Sequence, residues 1–351
     1  MDLTYLFFLS SGLFLGWSLG ANDASNIFGT AVGSKMVRFT TASIIASVFV
    51  VLGAVFGGEG ASETLEDLGA VNALAGSFMV ALSAAVSVYW MSRVGLKVST
   101  SQAIVGSIIG WNFYSGKQTD WNTMLEIVST WTLCPLIAAV VAVILYFITK
   151  KLLKISKMHL LMQDQMTRIG LIVTGALCAY ALGANNIANV VGVFAKSCPF
   201  KPLQMGSFLT LSPLQVLFLL GSLAICVGIF TYSKKVMMTV GNNLMKMSPI
   251  VAWIVVISQA VVLLMFSSVT LYDWLTAHSL PAIPLVPVSS TQAVIGAIVG
   301  IGLLKGGRGM NWGIVGKIIL GWITTPLMAM GICFVCLFFL ENVFNQTVYL
   351  P

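Results

Sequence analysis

Asn22, Asp23 and Asn26 stand within one helical turn of each other in the stretch Gly20-Ala21-Asn22-Asp23-Ala24-Ser25-Asn26-Ile27-Phe28-Gly29, inside a segment otherwise fit for lipid. Amide and carboxylate oxygens are hard ligands, of the kind Na⁺ takes. An ionisable group at membrane depth costs roughly 3 kcal/mol or more, and is kept mainly where it faces a cavity or a partner. Asp23 is the one acid flanked on both sides by such apolar sequence. Gly20 lets the backbone leave helical geometry just before it. The segment therefore reads as a discontinuous transmembrane helix, whose unwound carbonyls and half-helix ends make ion sites. Asn residues could instead merely cap the broken ends, but a cap gives no reason for Asp23.

The pattern Gly-Ala-Asn-x-x-x-Asn-x-x-Gly returns 163 residues on, as Gly183 to Gly192, and carries Asn185, Asn186 and Asn189. A second motif is also doubled. Val98-Ser99-Thr100-Ser101-Gln102 through Gly106 matches Val288-Ser289-Ser290-Thr291-Gln292 through Gly296. Trp131 and Pro135 recur in the same order as Trp322 and Pro326. Three landmarks in one order, twice, mark an internal duplication.

The hydroxyl runs admit two readings. Ser and Thr at a helix start satisfy orphan amides as caps. A helix N-terminus is also an anion site, with free amide donors and a favourable dipole. Hydroxyls and the Gln amide add neutral donors. Substrate contact is therefore expected from Asn22, Ser99, Thr100, Ser101, Gln102, Asn185, Ser289, Ser290, Thr291 and Gln292. Cation contact is expected from Asp23, Asn26, Asn186 and Asn189. No Lys or Arg is expected at depth, so the donors for an anion must be helix ends, hydroxyls and amides.

Of the 351 residues, 58% are hydrophobic and 8% charged, against about 25% charged in soluble domains. The chain is an all-α polytopic membrane protein. Its formal net charge of +7 comes from Lys and Arg in short loops, where they set orientation, and calls for no nucleic acid. The start, with Asp2 and an apolar run continuing into the first motif, makes a poor secretory signal. A span needs about 20 apolar residues, and the pattern predicts about 10–12 segments in two inverted-topology repeats. Residues 1–149 form the first repeat, 150–168 a basic amphipathic linker and 169–351 the second. Basic loops 35–38, 93–97, 150–168, 233–246 and 305–308 are assigned to the cytoplasmic side. The acidic loop 59–67 and both termini then lie outside, with Lys117, Lys196 and Lys201 as minor exceptions. Five crossings per half, counting the hydroxyl-run helices as spanning, insert the halves in opposite senses. Cys333 and Cys336 have CxxC spacing on a helix of Phe and Leu, where they read as small apolar residues. His159 and His278 fall in predicted loops.

These residues resemble the inorganic phosphate transporter (PiT) family of cation-coupled anion symporters, over nearly the whole chain. The likeness rests on both Asn motifs, both hydroxyl runs and both Trp/Pro spans. It implies an inverted-repeat secondary transporter of the cell membrane, a homodimer in the bilayer, coupling oxyanion uptake to Na⁺ or H⁺ and needing no other cofactor. Phosphate-transporting relatives typically carry Asp at the fourth position of both Asn motifs and His after the hydroxyl run. This chain has Asn186, Gln102 and Gln292 at three of those places, which looks like the sulfate permease branch. Sulfate carries no proton at neutral pH, so a donor-rich site without a second carboxylate suits it. The reading is sulfate symport, with thiosulfate as a related substrate and phosphate symport as the alternative. An enzyme would need a nucleophile–base pair or a metal cluster, and one deep carboxylate supplies neither. A channel would show a stacked ring of charge.

Overall fold

A computed structural model of the chain describes residues 3–69, 71–94, 96–205, 209–240, 245, 247–307 and 309–350. Asp2, Lys246 and Arg308, which entered the sequence reading, lie outside the described residues. The first half consists of α1 (Leu3–Gly33), α2 (Phe39–Gly57), α3 (Glu59–Gly69), α4 (Leu74–Arg93), α5 (Thr100–Ser115) and α6 (Trp121–Ser156). The second consists of α7 (Leu160–Val191), α8 (Pro213–Thr231), α9 (Ser233–Val240), α10 (Pro249–Met265), α11 (Val269–Ala277), α12 (Ser290–Leu304) and α13 (Trp312–Asn342). A small antiparallel hairpin, β1 (Leu203–Met205) with β2 (Leu209–Leu211), precedes α8.

Among the described residues, seven helices, α1, α2, α4, α6, α7, α8 and α13, are long and apolar enough to cross a membrane. They become eight if α10 and α11, bent by 63°, form one span. The larger number expected from sequence counted the hydroxyl-run helices. These are α5 and α12, of 16 and 15 residues, short of the about 20 that a helix needs to cross alone, so each completes its crossing with the extended segment before it. α6 and α13 are the least buried spans, 22% of their apolar windows, and turn Val140, Ile144, Leu327 and Phe339 outward. Apolar side chains pointing away from a packed interior are what lipid requires.

The expected break in the Asn-motif helices is absent. α1 and α7 run as α-helix through Gly20–Gly29 and Gly183–Val191 without interruption. The glycines serve close packing instead. A Cβ on Gly20 would lie 2.0 Å from the Ile225 carbonyl oxygen on α8, and one on Gly183 would lie 2.2 Å from that of Val50 on α2. Missing side chains let the backbones touch, as small residues do between membrane helices. Residues 59–67 likewise form a helix, α3, rather than a loop. Ala61, Leu65 and Leu68 point inward while Glu59, Glu63 and Asp67 are exposed. Residues 150–156 continue α6 and 160–168 open α7, the chain turning at Lys157 with a positive φ of 45°. His159 caps α7.

The two halves exchange partners. α1 packs on α8 and α7 on α2; α5 packs on α13 and α12 on α6. A Cβ on Gly106 would meet the Pro326 carbonyl oxygen at 2.2 Å, and one on Gly296 the Pro135 carbonyl oxygen at 2.2 Å. The equivalent helices α1 and α7 run antiparallel: Gly12 abuts Val190 near one end, and Phe28 abuts Gly175 near the other. A rotation that superposes antiparallel helices has its axis across them, in the membrane plane. The repeats are therefore inverted.

Candidate anion and cation site

The site forms where the N-termini of α5 and α12 meet the C-terminal parts of α7 and α1. Ser99 and Ser289 are the N-caps, each hydroxyl accepting from the amide two residues into its helix, Gln102 or Gln292, at 3.2 Å. For these two residues the capping reading is the one the geometry uses. The next hydroxyls cross to the other repeat, because each short helix is packed against the opposite half.

On the α1 side, Ser290 Oγ donates to Asp23 Oδ2 at 2.8 Å, and Asn22 Nδ2 donates to Asp23 Oδ1 at 3.0 Å. Asn26 Nδ2 donates to Ser290 Oγ at 3.1 Å and to Thr291 Oγ1 at 3.2 Å. Thr291 Oγ1 in turn reaches the Val98 carbonyl at 3.4 Å. On the α7 side, Asn189 Nδ2 donates to Ser101 Oγ at 2.9 Å and to Asn186 Oδ1 at 3.0 Å. Ser101 Oγ reaches the Val288 carbonyl at 3.2 Å, the counterpart of the Thr291 bond. Asn185 ties down the segment before α12, accepting from the Val288 amide at 2.8 Å and donating to the Val286 carbonyl at 3.1 Å. All these motif side chains are buried.

The two sides differ in what is left over. Thr100 is the counterpart of Ser290, but Asn186 stands where Asp23 stands on the other side. Thr100 Oγ1, Asn186 Nδ2 and Asn189 Oδ1 are buried without a hydrogen-bond partner among the described residues. Such atoms cost about 1–3 kcal/mol each unless something satisfies them. Two unspent donors and one unspent acceptor lie beside the first turn of α5, whose leading amides have no intrahelical partner.

Gln102 and Gln292 go elsewhere. Both line a separate cavity of about 520 Å³ with Trp131 and Trp322, and each Oε1 has no partner among the described residues. Gln102 lies two residues past Thr100, about 200° further round the helix, so the two side chains leave on different faces.

Sequence reasoning missed Lys97. It was assigned to a cytoplasmic loop, and no Lys was expected at depth. Its ammonium instead donates to Asn26 Oδ1 at 2.5 Å. It also lines a cavity of about 310 Å³ with Trp17, Asn22, Arg93, Tyr232 and Lys235. This cavity carries the site toward the side of the basic loops. The available signal was position: Lys97 immediately precedes the Val98-Ser99 start of the hydroxyl run.

A profile described as "Phosphate transporter family" matches residues 19–333. A protein of Methanocaldococcus jannaschii is 28% identical, over 92% of this chain and 93% of its own. One of Thermococcus kodakarensis is 26% identical, over 94% of this chain and 96% of its own. Both bear the name "putative phosphate permease". A solved structure described as "The sodium-dependent phosphate transporter" superposes with a TM-score of 0.75 at 21% identity, covering 96% of this chain and all of the other. That likeness speaks for the fold. The matched family and the named relatives overturn the sulfate reading. Its physical premise was incomplete, since losing a second carboxylate does not leave the site without acceptors: Asn189 Oδ1 remains unspent. The match covers most of the chain, from the first Asn motif to the last helix, and the protein belongs to the phosphate transporter family.

Proposed function

We propose that the protein is a secondary transporter that carries inorganic phosphate through the membrane by symport with a monovalent cation. The observation that carries this reading is the set of unspent atoms on the α7 side. Thr100 Oγ1 and Asn186 Nδ2, with the leading amides of α5, offer donors to phosphate oxygens. Asn189 Oδ1 offers an acceptor to the proton of hydrogen phosphate. Sulfate would leave that acceptor buried and unpaired, a discrimination that polar sites achieve by orders of magnitude. Of the oxygens of Asp23, Asn26, Asn186 and Asn189, Asn26 Oδ1 is held by the Lys97 ammonium and Asn189 Oδ1 is given to the substrate, so the coupling cation, Na⁺ or H⁺, is assigned to the second half-site at Asn186 Oδ1. Rocking of the two inverted repeats about the fixed site would alternate its access.

We assign the cavity of Arg93, Lys97 and Lys235 to the cytoplasmic side of the cell membrane, because it opens among the basic loops. Both termini share the opposite face: α1 begins beside Phe194, and the C-terminal tail reaches Trp111 and Asn72. We assign them outside, in a homodimer. The test is uptake of radiolabelled phosphate into proteoliposomes with unlabelled phosphate or sulfate as competitor. Phosphate should compete at least tenfold better than sulfate. Equal competition, or no phosphate uptake under any Na⁺ or proton gradient, overturns the reading.

A further inference from the structure

Asp23 and Lys97 are an asymmetric pair. In the register of the repeats, Asp23 answers to Asn186 and Lys97 to Pro287. One half-site carries an acid and a base; the other carries neither. Both departures from symmetry fall in the same half-site and have opposite sign, so each half-site is neutral by itself.

The geometry connects the two charges. Lys97 Nζ donates to Asn26 Oδ1, Asn26 Nδ2 donates to Ser290 Oγ at 3.1 Å, and Ser290 Oγ donates to Asp23 Oδ2 at 2.8 Å. Every donor in this chain points from the ammonium toward the carboxylate. Aligned hydrogen bonds in a low-dielectric interior polarise one another. The amide of Asn26 and the hydroxyl of Ser290 thus relay positive charge to Asp23 without a direct ion pair. Asn26 Oδ1, an amide oxygen on a side chain linked to the carboxylate through Ser290, is the kind of ligand a small cation would take. It is already held by an ammonium. A tethered charge also loses little translational freedom on docking, unlike a free ion.

We propose that the Lys97 ammonium is the built-in counter-cation of Asp23, standing in the first half-site where an inorganic cation would otherwise have to bind. Phosphate transport through this site then requires one cation fewer than a site with Asp23 alone. The inference rests on the phosphate-symport reading for its transport arm only, because the pairing can also be read from stability.

The experiment compares the unmodified transporter with Lys97→Gln, Lys97→Arg and the double variant Asp23→Asn/Lys97→Gln. Each is measured for phosphate uptake against Na⁺ concentration and against pH, and for melting temperature in detergent. Lys97→Gln should raise the Hill slope by about one in one of the two titrations, as an external ion takes over at the exposed carboxylate. Lys97→Arg should keep the original slope. Lys97→Gln should also melt lower than the double variant, in which both charges are gone as in the Asn186/Pro287 half. Where Lys97→Gln is too unstable to assay, a double variant that folds and keeps the original slope sustains the proposal. An unchanged slope for Lys97→Gln in both titrations overturns it, as does a double variant no more stable than Lys97→Gln. If the unmodified protein takes up no phosphate, the functional reading fails, and the melting comparison still decides the pairing.

Discussion

Asp23 and Lys97 set the charge of the site, and each should fail differently alone. Removing the carboxylate leaves the Lys97 ammonium uncompensated, free to hold the anion's charge. Asp23→Asn should therefore insert and fold yet slow phosphate turnover at least tenfold, because release becomes costly, while KM stays level or falls. Uptake kinetics in proteoliposomes check this; a variant with raised KM and normal turnover would refute it. On the other half-site, Thr100→Val removes one of the two unspent side-chain donors. Phosphate affinity should drop by roughly ten- to a hundredfold, the worth of one hydrogen bond to a charged group, measured by calorimetry on purified protein. The duplication made most of these residues legible: a polar residue alone in apolar sequence is ambiguous, but one repeated at a fixed offset with its neighbours is not. Lys97 was hidden because sequence reports that a lysine ends a span and not how far its flexible stem reaches back. Gln102 and Gln292 were read as neighbours of the hydroxyls because they are adjacent in the chain, whereas helical phase carries them to another face.

At the scale of elements, helix existence followed from apolar runs and continuity did not. Gly20 and Gly183 could mark either a break or a close approach, and composition cannot distinguish them. The neighbour decides, and the neighbours of Gly20 and Gly183 are the backbones of α8 and α2. α3 was missed because its four acidic residues suggested solvent, while Ala61, Leu65 and Leu68 supply an inward face at helical spacing. The close approaches make a sharp prediction. Gly106→Ala would place a methyl group 2.2 Å from the Pro326 carbonyl oxygen. Neither backbone can yield cheaply, so the variant should lose about 1–3 kcal/mol of stability. It should also displace the α5 N-terminus and lower phosphate uptake with it. Gly116→Ala is the control for composition alone: its surroundings are open, and its φ of 69° limits the cost to local backbone strain. Melting curves of the two variants in detergent would separate the effects; equal shifts would argue against tight α5–α13 packing.

The whole molecule is two interlocked copies of one unit, each short helix held by the span of the other copy. This interlocking places the two half-sites face to face and lets small asymmetries, Asp23 against Asn186 and Lys97 against Pro287, give them different tasks. It also fixes sidedness. Inversion puts equivalent loops on opposite faces, so the basic bias must come from loops unlike their counterparts. Lys35 and Arg38 follow α1, and Lys234 and Lys235 follow α8, whereas Lys196 and Lys201 follow α7 on the other face with the acids of α3 nearby. Positive charge resists translocation most strongly when it is close to a span and clustered. The proposed orientation therefore puts the first face in the cytoplasm. With the six native cysteines replaced, single cysteines at Glu63 and Lys201 should react with a membrane-impermeant maleimide in intact cells. Cysteines at Lys35 and Lys305 should react only after permeabilisation. Labelling of Lys35→Cys from outside would reverse the orientation while leaving the fold intact. Reaction of Glu63→Cys and Lys35→Cys from the same side would be incompatible with a spanning α2, and with the inverted repeat itself.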